Sequence, residues 1–329
     1  MTLAAVCTEL SGEGAIELQT RDAAPLGPAS VRIAVRAASV NFPDVLMTRG
    51  LYQARLEPPF VPGTECAGVI TEVGPDVSGL AVGDRVLTLC GSGAFATEVL
   101  ATPPAQVHRM PDTMPFDEAA SFNLTYGTGY HGLIRRGGLR AGESVVVTGA
   151  SGGCGSAAIQ IAKAAGATVI AVAGGAEKCD LARKLGADAV LDHQTIDSLS
   201  AAVKEHTDGR GADVVFDTVG GPDAREPLRS LAWNGRYLVI GFASGDIPTI
   251  KANQAILKCI SIVGVAYGMS AIIDPKANLE DFAQLFDWYG QGKVTPAIGH
   301  RFGLAEAAEA MRTVFERRAL GKVVIEMPA

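Results

Sequence analysis

The 329-residue sequence predicts an α/β protein in two parts: a β-rich region over about the first 120 residues, then a doubly wound parallel sheet. Three observations carry that expectation. The first is VVVTGASGGCGSAAIQIAKAAGATVIAVA, from Val145 to Ala173. It has an apolar β-branched run, glycines at 149, 152 and 155, a helical face of Ala158, Ile161, Ala162 and Ala165, and a second apolar run, Val169–Val172. That is strand, turn, helix, strand. The second is the alternation of strand and helix patterns from Glu143 to about Gly268. The third is the run of short strand-like segments in the N-terminal part, set apart by Gly and Pro.

In chain order, Val31–Val35, Gly68–Val73 and Arg85–Leu89 read as strands, with PPFVPGTE and VGDRV as turn-strand fragments. From Pro115, MPFDEAASFNLTYGTGYHGLIRRGGL reads as helix, loop, helix, with Asp117 and Glu118 near a helix start. After the first crossover come helix EKCDLARKLG, strand ADAVLD, helix IDSLSAAVKEHT, strand ADVVFDTV, helix DAREPLRSLA, strand GRYLVIGF and a last strand, CISIVGVAYG. The apolar strands suit a sheet covered on both faces. The tail reads as helices near Leu279–Gly290 and Leu304–Arg318, then a strand, LGKVVIEM, expected to return to the first domain.

Composition narrows the function classes. Hydrophobic residues make up 48 % and charged residues 19 %, with a formal net charge of −7 and the two signs interspersed. A nucleic-acid binder would show a basic face, so none is expected as a partner. No long apolar run predicts a membrane span, and MTLAAVCTELSGEGAIEL lacks the basic start and apolar core of a signal peptide. The cysteines at 7, 66, 90, 154, 179 and 259 never form CxxC, which fits thiols in a reducing compartment. The expected location is cytoplasmic.

The glycine turn is how a nucleotide-binding crossover is written. Glycines let the backbone approach a pyrophosphate, and the helix N-terminus supplies N–H groups and positive dipole. Gly149, Ser151, Gly152, Gly153, Cys154 and Gly155 are therefore cofactor-binding candidates. NAD enzymes of this type place an acid about 20 residues on, against the ribose 2′-hydroxyl. Here Ala173, Gly174 and Gly175 stand there, and Lys178 follows. The missing acid removes repulsion against a 2′-phosphate and a lysine can pair with it, so NADPH is the expected cofactor. Gly241 and Phe242 end one strand at the carboxyl edge of the sheet, where ligands bind in such folds, and His193 follows another strand at that edge.

The segments SVNFPDVLMTRGLY, PPFVPGTECAGVI, VGDRV, TYGTGYHGL, VTGASGGCG and LGKVV occur in order along essentially the whole chain. With them the sequence resembles the zinc-free, zeta-crystallin-like quinone oxidoreductases of the medium-chain dehydrogenase/reductase superfamily. The resemblance implies a GroES-like partial β-barrel catalytic domain, residues 1–122 and 269–329, and a Rossmann domain, residues 123–268, with the active site in the cleft between them. Zinc alcohol dehydrogenases share this fold. Their catalytic zinc uses a cysteine where this chain has Asn41 and a Gly-His-Glu histidine where it has Gly63-Thr64-Glu65. Asn and Thr are poor zinc ligands, and GSGAFATEVL follows Cys90 in place of a four-cysteine lobe. No metal is expected.

Within the resemblance, Asn41 and Tyr52 line the cleft near the nicotinamide, Tyr52 standing where related enoyl reductases have a proton donor. Thr125 and Thr128 match positions beside the nicotinamide and phosphates, His193 stands where an aromatic is common near the adenosine, and Lys322 of LGKVV joins the cofactor-binding set, as does Asn41. The plainer alternatives are a pocket wall for Tyr52, a loop-capping amide for Asn41, helix caps for Thr125 and Thr128, and solvated positions for His193 and Lys178. The implied activity is NADPH-dependent hydride transfer to a small-molecule acceptor, a quinone or α,β-unsaturated carbonyl. The alternatives are an enoyl thioester reductase, or an NADPH-binding protein without meaningful turnover. Edge pairing through CISIVGVAYG implies a homodimer.

Overall fold

The computed structural model describes residues 1–103, 106–222 and 224–328. The chain divides into two compact units, residues 1–124, 268–286 and 296–329, and residues 125–267 and 287–295. The first opens with a hairpin, β1 (Thr2–Cys7) and β2 (Ile16–Arg21). β3 (Val31–Val40), α1 (Phe42–Thr48), β4 (Glu65–Val73), β5 (Arg85–Leu89), β6 (Glu98–Ala101), β7 (Val107–Arg109) and α2 (Phe116–Ala120) follow. α3 (Asn123–Tyr130) runs directly into one turn of π-helix, His131–Arg136.

The second unit is the doubly wound part. Its elements alternate: β8 (Ser144–Thr148), α4 (Gly153–Ala164), β9 (Thr168–Ala173), α5 (Ala176–Lys184), β10 (Ala189–Asp192), α6 (Leu199–Glu205), β11 (Ala212–Asp217), α7 (Arg225–Ser230), β12 (Leu231–Val239), α8 (Asn253–Leu257) and β13 (Ser261–Gly264). Among the described residues they form a six-stranded parallel sheet in the order β10-β9-β8-β11-β12-β13. The order reverses direction beside β8, which puts the end of β8 at the switch point where such sheets bind ligands. Val145, Val146, Val147, Val214, Val215 and Phe216 in the central strands are fully buried, as a sheet covered on both faces requires.

The chain then adds α9 (Tyr267–Ile273), α10 (Pro275–Gly290), β14 (Ile298–Gly303), α11 (Ala307–Phe315) and β15 (Lys322–Glu326). As expected, the tail strand returns to the first unit. β15 pairs antiparallel with β3, completing a seven-stranded sheet in the order β14-β15-β3-β4-β5-β7 with β6 on β3. Its core gathers Val31, Ile33, Ile70, Val86, Phe95, Met311 and Ile325.

Three sequence expectations need adjustment. CISIVGVAYG is a strand only over Ser261–Gly264. The chain then turns so that the buried Tyr267 ring packs on Gly127, where an added Cβ would come within 2.3 Å of the ring. Residues 287–295, placed with the first domain, belong to the second unit. Gln160 of α4 holds them, donating to the Thr295 carbonyl at 3.0 Å and accepting from its N–H at 2.6 Å, while Trp288 packs on Tyr130. Asp223, the expected first residue of the DAREPLRSLA helix, lies outside the described residues, and Leu231 and Ala232 at its expected end begin β12 instead.

Candidate functional site

In the second unit the glycine turn follows β8. Gly149 has φ +60°, and an added Cβ would sit 2.4 Å from Thr218 Oγ1. At Gly155 a Cβ would fall 2.1 Å from the Gly149 carbonyl oxygen, so glycine there lets the first turn of α4 close onto the loop. Gly152 is the N-cap of α4, and a Cβ there would meet only the Gly149 carbonyl, at 3.4 Å. Two of the three glycines are thus demanded by the fold and the third keeps the surface open. Ser151, Gly153 and Cys154 complete the turn and the first turn of a twelve-residue helix. The N-terminal amides of a helix have no partner within it and carry positive partial charge, which suits a pyrophosphate.

A buried clamp that sequence reasoning missed stands beneath this turn. Asp217, the last residue of β11, is 2 % exposed and accepts from Tyr237 Oη at 2.5 Å, Thr148 Oγ1 at 2.5 Å, and the amides of Val219 and Gly220 at 3.0 and 3.2 Å. It ties β8, β11 and β12 together at their carboxyl ends. Burial and the Asp217 carboxylate hold the Tyr237 phenol far above its ordinary pKa, so it remains a donor. The signal was an acid ending an apolar strand, ADVVFD. Gly241 and Phe242 follow β12; the Gly241 amide donates to the Asp217 carbonyl at 3.3 Å, and Phe242 packs against Gly220.

The next strand end holds the residues expected at the adenosine side. Gly174 and Gly175 follow β9, and a Cβ on Gly174 would come within 2.4 Å of His193 Nε2. The imidazole therefore fills the space a side chain at 174 would take, and the structure brings Gly174 and His193 together. Lys178 lies in the first turn of α5, partly exposed. Asp192, which the sequence did not single out, closes the loop by accepting from Gly175 N at 3.1 Å and Gln194 N at 3.0 Å. Those amides hold its carboxyl below the usual range. Thr125 and Thr128 sit on α3 and are 1 % and 9 % exposed. The glycines between and after them serve close packing: at Gly127 on Tyr267, at Gly129 on Ile161 and at Gly132 on Phe216.

In the first unit, Asn41, Tyr52 and Lys322 resolve into a buried polar cluster and a nearby phenol. Asn41 is the N-cap of α1, and its amide N–H donates to Asp44 Oδ2 at 2.7 Å. Its side chain is engaged on both ends. Oδ1 accepts from Lys322 Nζ at 2.6 Å; Nδ2 faces Glu65 Oε1 at 2.9 Å, and Thr64 Oγ1 and the Ser39 carbonyl at 3.3 Å each. Lys322 Nζ also pairs with Glu65 Oε1 at 3.0 Å, and Glu65 Oε2 accepts from the Leu124 amide at 2.8 Å. Lys322 and Glu65 are 3 % and 0 % exposed, so this ion pair is shielded from solvent and satisfied by its neighbours.

Asp44 completes the cluster. It is fully buried, and Oδ1 has no hydrogen-bond partner among the described residues. Burial pushes its carboxyl up to about 7, against the opposing pull of the Asn41 amide, Lys322 and Thr64. Tyr52, half-buried after α1, has its phenol raised by burial and then by the negative charge of Asp44. It is a hydrogen-bond donor at neutral pH. Among the described residues no group of three or more His, Cys, Asp or Glu is placed to hold a metal.

Two family descriptions match the chain: an alcohol dehydrogenase GroES-like domain over residues 27–112 and a zinc-binding dehydrogenase over residues 153–289. A quinone oxidoreductase-like protein 2 homolog from Nematostella vectensis is 38 % identical over 98 % of this chain and 88 % of its own length. Among solved structures, a quinone oxidoreductase from Pseudomonas syringae superposes with TM-score 0.90 at 29 % identity, covering 99 % of this chain and 100 % of the other. A mycobacterial protein complexed with NADPH superposes with TM-score 0.92 at 30 % identity, covering 98 % and 99 %. The fold and these likenesses define a medium-chain dehydrogenase/reductase, an oxidoreductase of a superfamily that binds nicotinamide cofactors. Within it the chain belongs to the quinone oxidoreductase-like family. No helix among the described residues is long and apolar enough to cross a membrane.

Proposed function

We propose that this chain is a zinc-independent, NADPH-dependent reductase of quinones or α,β-unsaturated carbonyls. The observation that carries this is the Lys322 ammonium seated among Asn41 and Glu65. Asn41 and Thr64 stand where zinc relatives have ligands, and a fixed internal cation already neutralises the carboxylate beside them. A divalent ion at that place would meet an ammonium within hydrogen-bonding distance of the same oxygens.

The turn from Gly149 to Gly155 fits a pyrophosphate by its open Gly152 and the α4 N-terminus. Gly174 and Gly175, with no acid at that place, together with His193 and Lys178, favour a 2′-phosphate. When bound, the nicotinamide would supply hydride. The chain's own task is then to meet the charge that develops on a substrate oxygen. Tyr52 is suited to that, because its raised pKa keeps the proton on the phenol until an oxyanion forms. A cytoplasmic location goes with the same proposal.

The same proposal includes a homodimer. β13 ends the parallel sheet, so its outer backbone groups have no further strand paired to them among the described residues, and Ile262 on it is 43 % exposed. A second copy pairing edge to edge would satisfy those groups. Light scattering should give twice the chain mass; a monomer at micromolar concentration would remove this part.

The test of function is NADPH oxidation with quinone, enone and enoyl thioester acceptors, beside fluorescence titration of NADPH and NADH. NADPH should bind at least about tenfold tighter, since one lost phosphate contact is worth about 1.4 kcal/mol or more. Tyr52→Phe should lower kcat by roughly tenfold to a thousandfold with NADPH affinity within about threefold. Elemental analysis should find no stoichiometric zinc. NADPH binding with no acceptor-dependent oxidation would replace this proposal by a binding protein.

A further inference from the structure

Beside the buried cluster, two cysteines lie diagonally across the β4–β5 hairpin, on one face of it. Cys66 lies on β4 opposite Thr88 of β5. Cys90 comes two residues after Thr88, just past the end of β5, and so points to the same face of the ladder. The amides of Cys90 and Gly91 both donate to the Thr64 carbonyl, at 2.9 and 3.1 Å. Two amides on one carbonyl draw the chain back over β4. Cys90 Sγ lies 3.5 and 3.6 Å from the Thr64 and Gly63 carbonyls. The neighbouring Cys90 side chain and then burial hold the Cys66 thiol well above its ordinary pKa. Cys66 is fully buried, whereas Cys90 is partly open to solvent.

We propose that Cys66 and Cys90 form an oxidation site, converted by hydrogen peroxide into an intramolecular disulfide. The accessible sulfur, Cys90, reacts first. As thiolate it attacks the peroxide O–O bond, takes one oxygen as a sulfenic acid and releases hydroxide, which becomes water. The Cys66 sulfur then displaces hydroxide from the Cys90 sulfur; the S–S bond forms, and the Cys66 proton leaves with that hydroxide as a second water. Two thiols lose two electrons in total, and one peroxide is reduced to two waters.

The location gives the bond a consequence. A disulfide brings its sulfurs to about 2.05 Å, closer than thiols in contact, so Cys90 must move toward β4. Cys90 is tied to the Thr64 carbonyl, and Cys66 directly follows Glu65. Thr64 and Glu65 are two of the groups that position the Asn41 amide. Oxidation therefore pulls on the floor of the cluster beside Tyr52. An effect on turnover rests on the proposed function; the oxidation itself does not.

The test treats the native full-length protein with graded hydrogen peroxide, blocks the remaining thiols by alkylation and maps peptides without reduction. The expected result is a linked Cys66–Cys90 peptide, loss of two of the six free thiols, and full reversal by dithiothreitol. Cys90→Ser should give no linked peptide. Cys66→Ser, or Cys66→Ala if the hydroxyl is not tolerated in the core, should stop at a Cys90 sulfenic acid that dimedone traps. Oxidation confined to Cys154 or Cys259, or Cys90 proceeding to sulfinic acid in the wild type without a linked peptide, would overturn the proposal. A reversible loss of turnover in parallel with the linked peptide would tie the site to activity. Failure of turnover in every sample would count against the proposed function and leave the peptide map decisive for the disulfide.

Discussion

Asp217 in one unit and Asp44 in the other are both almost completely buried, and the two are provided for very differently. Asp217, 2 % exposed, has four donors spread over both carboxyl oxygens. Asp44, 0 % exposed, has the Asn41 amide at 2.7 Å and a long contact to Thr64 at 3.5 Å on one oxygen, and among the described residues no partner on the other. Burial is common to both, so the number and geometry of donors set them apart. A carboxylate that accepts several hydrogen bonds is solvated by the protein. One that accepts a single good bond is left to recover its proton, and Asp44 is pushed up to about 7. Asp217 is a structural pin, while Asp44 is a group whose charge changes near neutral pH.

The largest expected effect breaks the pin. Asp217→Ala leaves the Tyr237 and Thr148 hydroxyls and two amides without their acceptor, at a cost of about 4 kcal/mol in urea unfolding. A loss below about 1 kcal/mol would mean that water replaces the carboxylate and that the contrast with Asp44 is false. Asp44→Asn should behave in the opposite way. The folded-state pKa of Asp44 lies above its unfolded value, so the folded protein binds the extra proton between the two and stability falls as pH rises through that window. Asn keeps an acceptor for the Asn41 amide and carries no charge. Relative to wild type the variant should therefore gain roughly 3 kcal/mol between about pH 5 and about pH 8. A difference that does not change with pH would show Asp44 to be ionised throughout.

How much of this was legible in the sequence follows from sequence separation. The glycine turn, the β/α alternation and the returning tail strand are written in local periodicity, and all are present in the structure. The Gly149 and Gly155 requirements are met within one loop. The buried cluster joins residues 281 and 257 positions apart, Lys322 to Asn41 and to Glu65. No local pattern says that the lysine of LGKVV turns inward. Asp217 carried a faint signal, an acid closing an apolar strand, but its partners come from two other strands. The end of β13 was unreadable because Gly127, far back in the chain, provides the space that takes Tyr267.

His108 extends the comparison to a base. It is 4 % exposed on β7 and stacked on Phe282 at 3.9 Å; Asn278 Nδ2 donates to its Nε2 at 3.2 Å. Burial pushes it down to about 4. The folded-state pKa is depressed below the unfolded one, so the unfolded chain takes up the proton first and stability is lost as pH falls. His108→Gln should remove about 3 kcal/mol of that loss between about pH 7 and about pH 4. Over the same range Asp44 works the other way, so the wild type should show only a shallow net slope from this pair. The two variants, measured in parallel, should tilt in opposite directions. Equal slopes in both would remove the assignment of either group.

The smallest expected effect tests the weakest contact. Thr64 Oγ1 is 3.5 Å from Asp44 Oδ2 and 3.3 Å from Asn41 Nδ2, both long for hydrogen bonds. Thr64→Val keeps the shape and removes the hydroxyl. Asn41 retains Glu65 and Lys322, so the loss should be about 0.5 to 1 kcal/mol. Thr64 is the last and least of the influences that lower Asp44, after the Asn41 amide and Lys322. Removing it should move the pH window of Asp44 upward, and only slightly. If Thr64→Val instead costs as much as Asp217→Ala, the hydroxyl is doing for Asp44 what Tyr237 and Thr148 do for Asp217. The two carboxylates would then be solvated alike, and the orphaned Oδ1 would no longer account for the difference between them.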